Sequence, residues 1–146
     1  MIRKATPSDV KAIVDLAVES VSKNPLPVNI DRDSMTETTK EAVSGASHFV
    51  WVSEIDGEVV GCVGAMCEKS FWYERQQCSV LLYYTRVPGE GLRLIRKLAD
   101  WVKSRPAIKI AVMELEPEVD PRLIKYLQRI GFLRKSINCT YVRGLT

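Results

Sequence analysis

The chain has 146 residues, of which 46% are hydrophobic and 27% charged, and its net charge is +3. That length fits one domain over residues 1–146 with a core of its own; the composition excludes a disordered chain, and the size makes disulfide or metal staples unnecessary. The weakly basic balance suits an anionic ligand and is too small to argue for a nucleic-acid partner.

The stretch from Met1 to Asp9 lacks the apolar run of a signal peptide, and no later run approaches membrane-spanning length. A cytoplasmic protein without membrane contact is expected. Ile2 to Ala5 predicts a first strand. Thr6, Pro7 and Asp9 then read as a helix start: a capping residue, a proline at the first helical position and an acid three residues after the cap. Val10, Ile13, Val14, Ala17 and Val21 follow at helical spacing and define one apolar face. Asn24-Pro-Leu-Pro-Val28 cannot continue that helix, because proline lacks a donor and restrains its neighbour. A second, more polar helix is expected from Asp33 to Val43, stopped by Gly45.

His48 to Glu54 alternates as a strand, Asp56-Gly57 marks a tight hairpin, and Val59 to Met66 is the returning strand. An aromatic connection, Ser70-Phe-Trp-Tyr-Glu74, leads to a strand from Gln77 to Thr85. The helix from Leu92 to Lys103 is expected to bury Leu92, Ile95, Leu98, Ala99 and Val102. Ile108 to Glu116 is β-branched and short, which predicts a buried strand. Asp120 and Pro121 open a last helix that Gly131 ends, and Phe132 to Ser136 and Asn138 to Arg143 predict two terminal strands. The order β-α-α-β-β-β-α-β-α-β-β implies an α/β sheet with helices on both faces. Cys62, Cys67, Cys78 and Cys139 sit in apolar, strand-like stretches without metal-ligand spacing; buried free thiols and no metal site are expected.

The stretch with most chemical content is Arg86-Val-Pro-Gly-Glu-Gly91. It joins an apolar strand to an amphipathic helix without a spacer. The first N–H groups of a helix have no intrahelical partner and carry partial positive charge, and glycine lets a phosphate approach closely. No Gly-Lys-Ser/Thr follows, and Leu94 stands where a dinucleotide fingerprint has its third glycine, so neither of those phosphate loops is present.

The spacing Arg-x-x-Gly-x-Gly in this place resembles the acetyl-CoA pyrophosphate loop of the GNAT family of N-acetyltransferases. The element order is similar too, as is the stretch Asp120-Pro-Arg-Leu-Ile-Lys-Tyr-Leu-Gln-Arg-Ile-Gly-Phe132, a capped helix ending in Gly-Phe. The resemblance covers essentially the whole chain, with a texture like that of small phage or bacterial members. It implies a mixed, mostly antiparallel central sheet, splayed between the fourth and fifth strands. Acetyl-CoA would lie there as co-substrate. Its pyrophosphate would rest on the N–H groups of Val87, Gly89, Glu90, Gly91 and Leu92, with Arg86, Arg93 or Arg96 against the phosphates. The pantetheine arm would pair with the backbone of Tyr83, Tyr84 and Thr85.

Acetyl transfer to an amine needs a route for the amine proton, stabilisation of the carbonyl oxygen and an acid near the leaving thiolate. The fourth strand carries no carboxylate, unlike many family members. Glu114 and Glu116, spaced two apart at the carboxyl end of the fifth strand, are the nearest candidate bases. The family's frequent tyrosine falls on Leu127 here, so Tyr126 beside it is the candidate acid, with Tyr83 and Tyr84 as alternatives on opposite sheet faces. His48 reads as an edge or turn residue. Leu26 to Met35 resembles the family's acceptor-binding region, where Asp31 and Asp33 would favour a cationic acceptor. Two readings follow: transfer of an acetyl group to a primary amine of a small molecule or protein, or a non-catalytic protein that keeps the fold for acyl-CoA or protein binding. The terminal strands also offer edges on which a homodimer could pair.

Overall fold

The computed structural model of the chain describes residues 1–145. Its elements are β1 (Ile2–Lys4), a 3-10 turn (Pro7–Asp9), α1 (Val10–Ser22), α2 (Arg32–Ser44), β2 (Phe49–Ile55), β3 (Glu58–Lys69), β4 (Gln76–Thr85), α3 (Glu90–Ser104), β5 (Ile108–Val112) and α4 (Pro121–Arg129). The strands form one sheet in the order β1-β2-β3-β4-β5, antiparallel except for the parallel pair β4–β5.

Local chemistry explains most boundaries. Asp9 accepts from the Thr6 N–H at 2.8 Å, which fixes the entry to α1. Asp31 caps α2 by accepting from the Ser34 N–H at 3.0 Å, and Asp120 caps α4 by accepting from the Arg122 N–H at 2.9 Å. The β2–β3 turn places Asp56 at φ 51° and Gly57 at φ 79°, the left-handed pair that a two-residue hairpin requires. Gly131 stops α4 at φ 111°.

Alternation along the strands splits the core into two layers. Phe49, Val63, Ala65, Cys67 and Cys78 face α3 through Leu94 and Leu98. Val50, Val52 and Cys62 face α1 and α2 through Ile13, Leu16 and Ala42. A third cluster ties α4 to α3 through Ile95, Ala99, Leu127 and Ile130. Helices therefore cover both faces of a mostly antiparallel sheet, as the element order implies.

Four expectations are corrected. The expected terminal strands, Phe132 to Ser136 and Asn138 to Arg143, make no sheet pairing, and Leu133, Ile137 and Tyr141 stand exposed. The fifth strand ends at Val112 instead of running to Glu116. On α3, Leu92 is exposed, and Gly91, Leu94, Ile95, Leu98 and Ala99 form the buried stripe. The helix starts at Glu90, and the close seat of Gly91 on the sheet sets its rotation. Cys139 is also exposed, while the other three cysteines are buried.

Candidate functional site

The site begins where β4 and β5 part. They pair only from Gln76 to Ser79 against Ile108 to Val112; β4 then runs on to Thr85 while β5 stops. A bulge marks the separation. Leu82 lies opposite Gly64 and Val80 opposite Ala65, so Leu81 is the extra residue. The extra residue inverts the alternation: Cys78 and Val80 share the α3 face with Tyr83, while Leu82 and Tyr84 join the α1–α2 face.

Backbone direction follows from one bond. The Arg86 N–H donates to the Val60 carbonyl at 2.8 Å, so Leu82 and Tyr84, at the same parity, turn their peptide groups to β3. Tyr83 and Thr85 turn theirs to the side that β5 has left. Of the three residues expected to pair with pantetheine, Tyr83 and Thr85 thus offer backbone groups to the opening, and Tyr84 does not.

The loop that follows is tightly organised. The Thr85 Oγ1 accepts from the Val87 N–H at 3.1 Å, and the Glu90 N–H donates to the Val87 carbonyl at 3.3 Å. Val87 and Glu90 are therefore used inside the turn, which leaves the N–H groups of Gly89, Gly91 and Leu92 to open α3. Gly89 caps the helix at φ 91°, a conformation that L side chains rarely adopt. At Gly91 the constraint is contact instead. A Cβ there would collide with the Tyr83 hydroxyl and lie 3.1 Å from the Thr85 Cγ2. Tyr83 is half-buried beneath the first turn of α3, and burial raises its pKa.

Charge around the loop is divided between the two faces. Arg86 is turned towards α1, with its Nε 2.8 Å from Glu19 and its Nη1 3.3 Å from Glu58. It thus pairs with two carboxylates on the α1 side, as Arg93 pairs with Glu90 and Arg96 with Asp100 on α3. Glu90 folds back under the helix, where it accepts from the buried Ser53 hydroxyl and, at 2.9 Å, from Arg93. The Ser53 hydroxyl first, and Arg93 second, hold the Glu90 carboxyl below its usual range. Arg93 and Arg96 lie with Lys97, Met1, Leu92 and Tyr126 along an open groove of about 520 Å³ on the outer side of α3.

The candidate catalytic side chains do not converge. Glu114 and Glu116 are exposed on the chain beyond β5; Met113 and Leu115, which alternate with them, pack towards α3 and α4. The alternation survives, so both carboxylates share an outward side, but no strand holds them. Tyr126 packs against the α3–α4 cluster and reaches the outer groove beside Arg96, whose pKa it helps to raise. Leu127, in the family's tyrosine slot, is buried. The His48 Nδ1 accepts from the Cys67 N–H at 3.2 Å. The role of Ser53 was not legible in the sequence, since nothing marks a serine in a strand as the partner of a distant helix start. The close approach at Gly91 has a visible signal: a glycine inside a first helical turn.

Compared with profiles of known families and with curated proteins, the chain matches none. Solved structures do match. A possible acetyltransferase from Clostridium difficile 630 superposes with a TM-score of 0.73 at 16% identity, over 100% of this chain and 98% of that one. A predicted acetyltransferase from Clostridium acetobutylicum, solved with acetyl-CoA, gives 0.75 at 15% identity, over 97% and 94%. Glucosamine-6-phosphate N-acetyltransferase from Arabidopsis thaliana gives 0.68 at 19% identity, over 98% and 97%. The chain has the GNAT fold. The splay between β4 and β5 and the glycine turn into α3 are thus part of a GNAT architecture that spans essentially the whole described chain. No helix among the described residues is long and apolar enough to cross a membrane.

Proposed function

We propose that this GNAT-fold chain is an acetyl-CoA-dependent N-acetyltransferase acting in the cytoplasm on a primary amine. The carrying observation is the continuity of one strand edge with one helix start: the open peptide groups of Tyr83 and Thr85 lead directly to the Gly89 cap. An extended amide arm pairs with such an edge, and a pyrophosphate is stabilised at such a helix start. Arg93 and Arg96 supply cations on the same helix. The solved structure with acetyl-CoA in a similar fold supports the same ligand here.

Chemistry in this reading is direct attack by the amine on the thioester carbonyl. The nitrogen lone pair forms the new C–N bond, the carbonyl oxygen takes up charge beside a β4 N–H, and the thiolate leaves with a proton. Glu114 or Glu116 takes the amine proton, directly or through water, and Tyr126 or Tyr83 supplies the acid. Tyr83 has the more suitable environment, being held under α3 at the open edge. The test is thiol release from acetyl-CoA across a panel of amines and peptides. General-base help is worth about 10²–10⁴ in rate, so Glu→Gln at the true base should lower turnover by that order near neutral pH, with less effect at high pH. Full activity in both Glu114→Gln and Glu116→Gln would remove these carboxylates from the mechanism.

A second reading rests on a specific observation: β4 lacks a carboxylate and the acid slot holds buried Leu127. On it, the chain binds acyl-CoA or another protein without transfer. CoA binding with no turnover across the panel would favour that reading.

A further inference from the structure

Cys67 and Cys78 lie directly opposite each other on β3 and β4, both buried in the core layer beneath α3. The hydrogen-bond phase of this ladder decides how near they come. The Ser70 N–H donates to the Arg75 carbonyl at 3.0 Å, so the bonded positions of the antiparallel ladder are Ser70 with Arg75 and, two residues on, Glu68 with Gln77. Cys67 and Cys78 fall between them, at a non-bonded position. A second bond agrees: the Cys67 N–H points away from β4 and donates to the His48 Nδ1 at 3.2 Å. Non-bonded pairs have the smaller separation, about 4.5 Å between Cα atoms, which lies inside the window a disulfide spans. Cys62 faces the opposite core layer and Cys139 is exposed on the chain after α4, so neither competes for this partner.

We propose that Cys67 and Cys78 are a redox modification site, closed to a cross-strand disulfide by a small-molecule disulfide such as oxidised glutathione. The Cys67 thiolate attacks one sulfur of the oxidant, whose S–S bond breaks and releases one thiol. The Cys78 thiol loses its proton to solvent, attacks the Cys67 sulfur and displaces the second thiol. Two cysteines are oxidised and one small disulfide is reduced to two thiols. The bond ties β3 to β4 one residue before Ser79, the last residue of β4 paired with β5. Burial raises the pKa of both thiols, that of Cys78 to about 12, which makes closure slow and base-assisted.

The experiment uses the full chain carrying Cys139→Ser, so that the exposed thiol forms no intermolecular bond. The folded protein is incubated with oxidised glutathione at mildly alkaline pH, quenched in acid, denatured, alkylated and mapped by mass spectrometry. Loss of two hydrogens, one alkylated thiol at Cys62 and a linked peptide joining 67 to 78 are expected, all reversed by dithiothreitol. A sample in urea shows that the oxidant is competent. Three alkylated thiols from the folded protein would overturn the proposal, as would a glutathione adduct that stays on Cys67 or a bond to Cys62. Cys78→Ala, checked for fold by circular dichroism, should leave no internal disulfide.

Discussion

Gly91 shows how a single hydrogen in place of a side chain can position a helix start against a strand. Its missing Cβ lets the first turn of α3 rest on the Tyr83 hydroxyl, and that contact aims the helix start at the open edge of β4. Gly91→Ala should therefore destabilise the protein by about 1–3 kcal/mol, as overpacking does. Tyr83→Phe removes the oxygen that the new methyl meets and should recover part of the loss; urea unfolding of the single and double variants measures it, and simple additivity would contradict the contact. A second residue-scale device is the Arg3–Asp9 pair, bonded at 2.7 and 3.0 Å with the aspartate largely buried. Arg3 first, against the opposing cost of burial, lowers the Asp9 pKa to about 2. The folded value lies below the unfolded one, near 3.9, so the stabilisation is fully present above about pH 4 and lost as pH falls towards 2. Arg3→Ala should cost about 1.5–3 kcal/mol at neutral pH and flatten that acid limb, measured by unfolding across pH 2 to 6.

At the scale of elements, what was legible in the sequence is what local chemistry decides. The Asp56-Gly57 turn, the caps at Asp31 and Asp120 and the stop at Gly131 are short-range features, and each was readable from residue type. Pairing is not local. Phe132 to Arg143 alternates as strands do, yet it pairs with no strand of the sheet; β5 stops at Val112 because β4 bends away at the Leu81 bulge, and the sequence carries no mark of a bulge. The same holds on α3. An amphipathic pattern with leucines at 92, 94 and 98 leaves the rotation open by one residue, and only the seat of Gly91 chooses Leu94 over Leu92. Leu94→Ala should thus cost about 2–5 kcal/mol while Leu92→Ala costs far less; thermal or urea unfolding distinguishes the buried stripe found here from the expected one.

Over the whole molecule, the two core layers have different tasks. The α1–α2 layer backs the sheet, and the α3–α4 layer sets a helix start against a strand edge that β5 has released. The glycine turn into α3 was readable in advance because its glycines and its strand-helix setting are contiguous in sequence. The placement of the candidate catalytic groups was not, since it depends on a fold whose fifth strand ends at Val112 and on a buried Leu127. The central claim is that the open β4 edge and the Gly89 cap together bind CoA. Calorimetric titration of CoA into the wild-type chain and into Gly89→Glu tests it most directly. One saturable site in the wild type, lost when a carboxylate occupies the helix start, is the predicted result; no binding by the wild type at millimolar CoA, or equal binding by the variant, would contradict it.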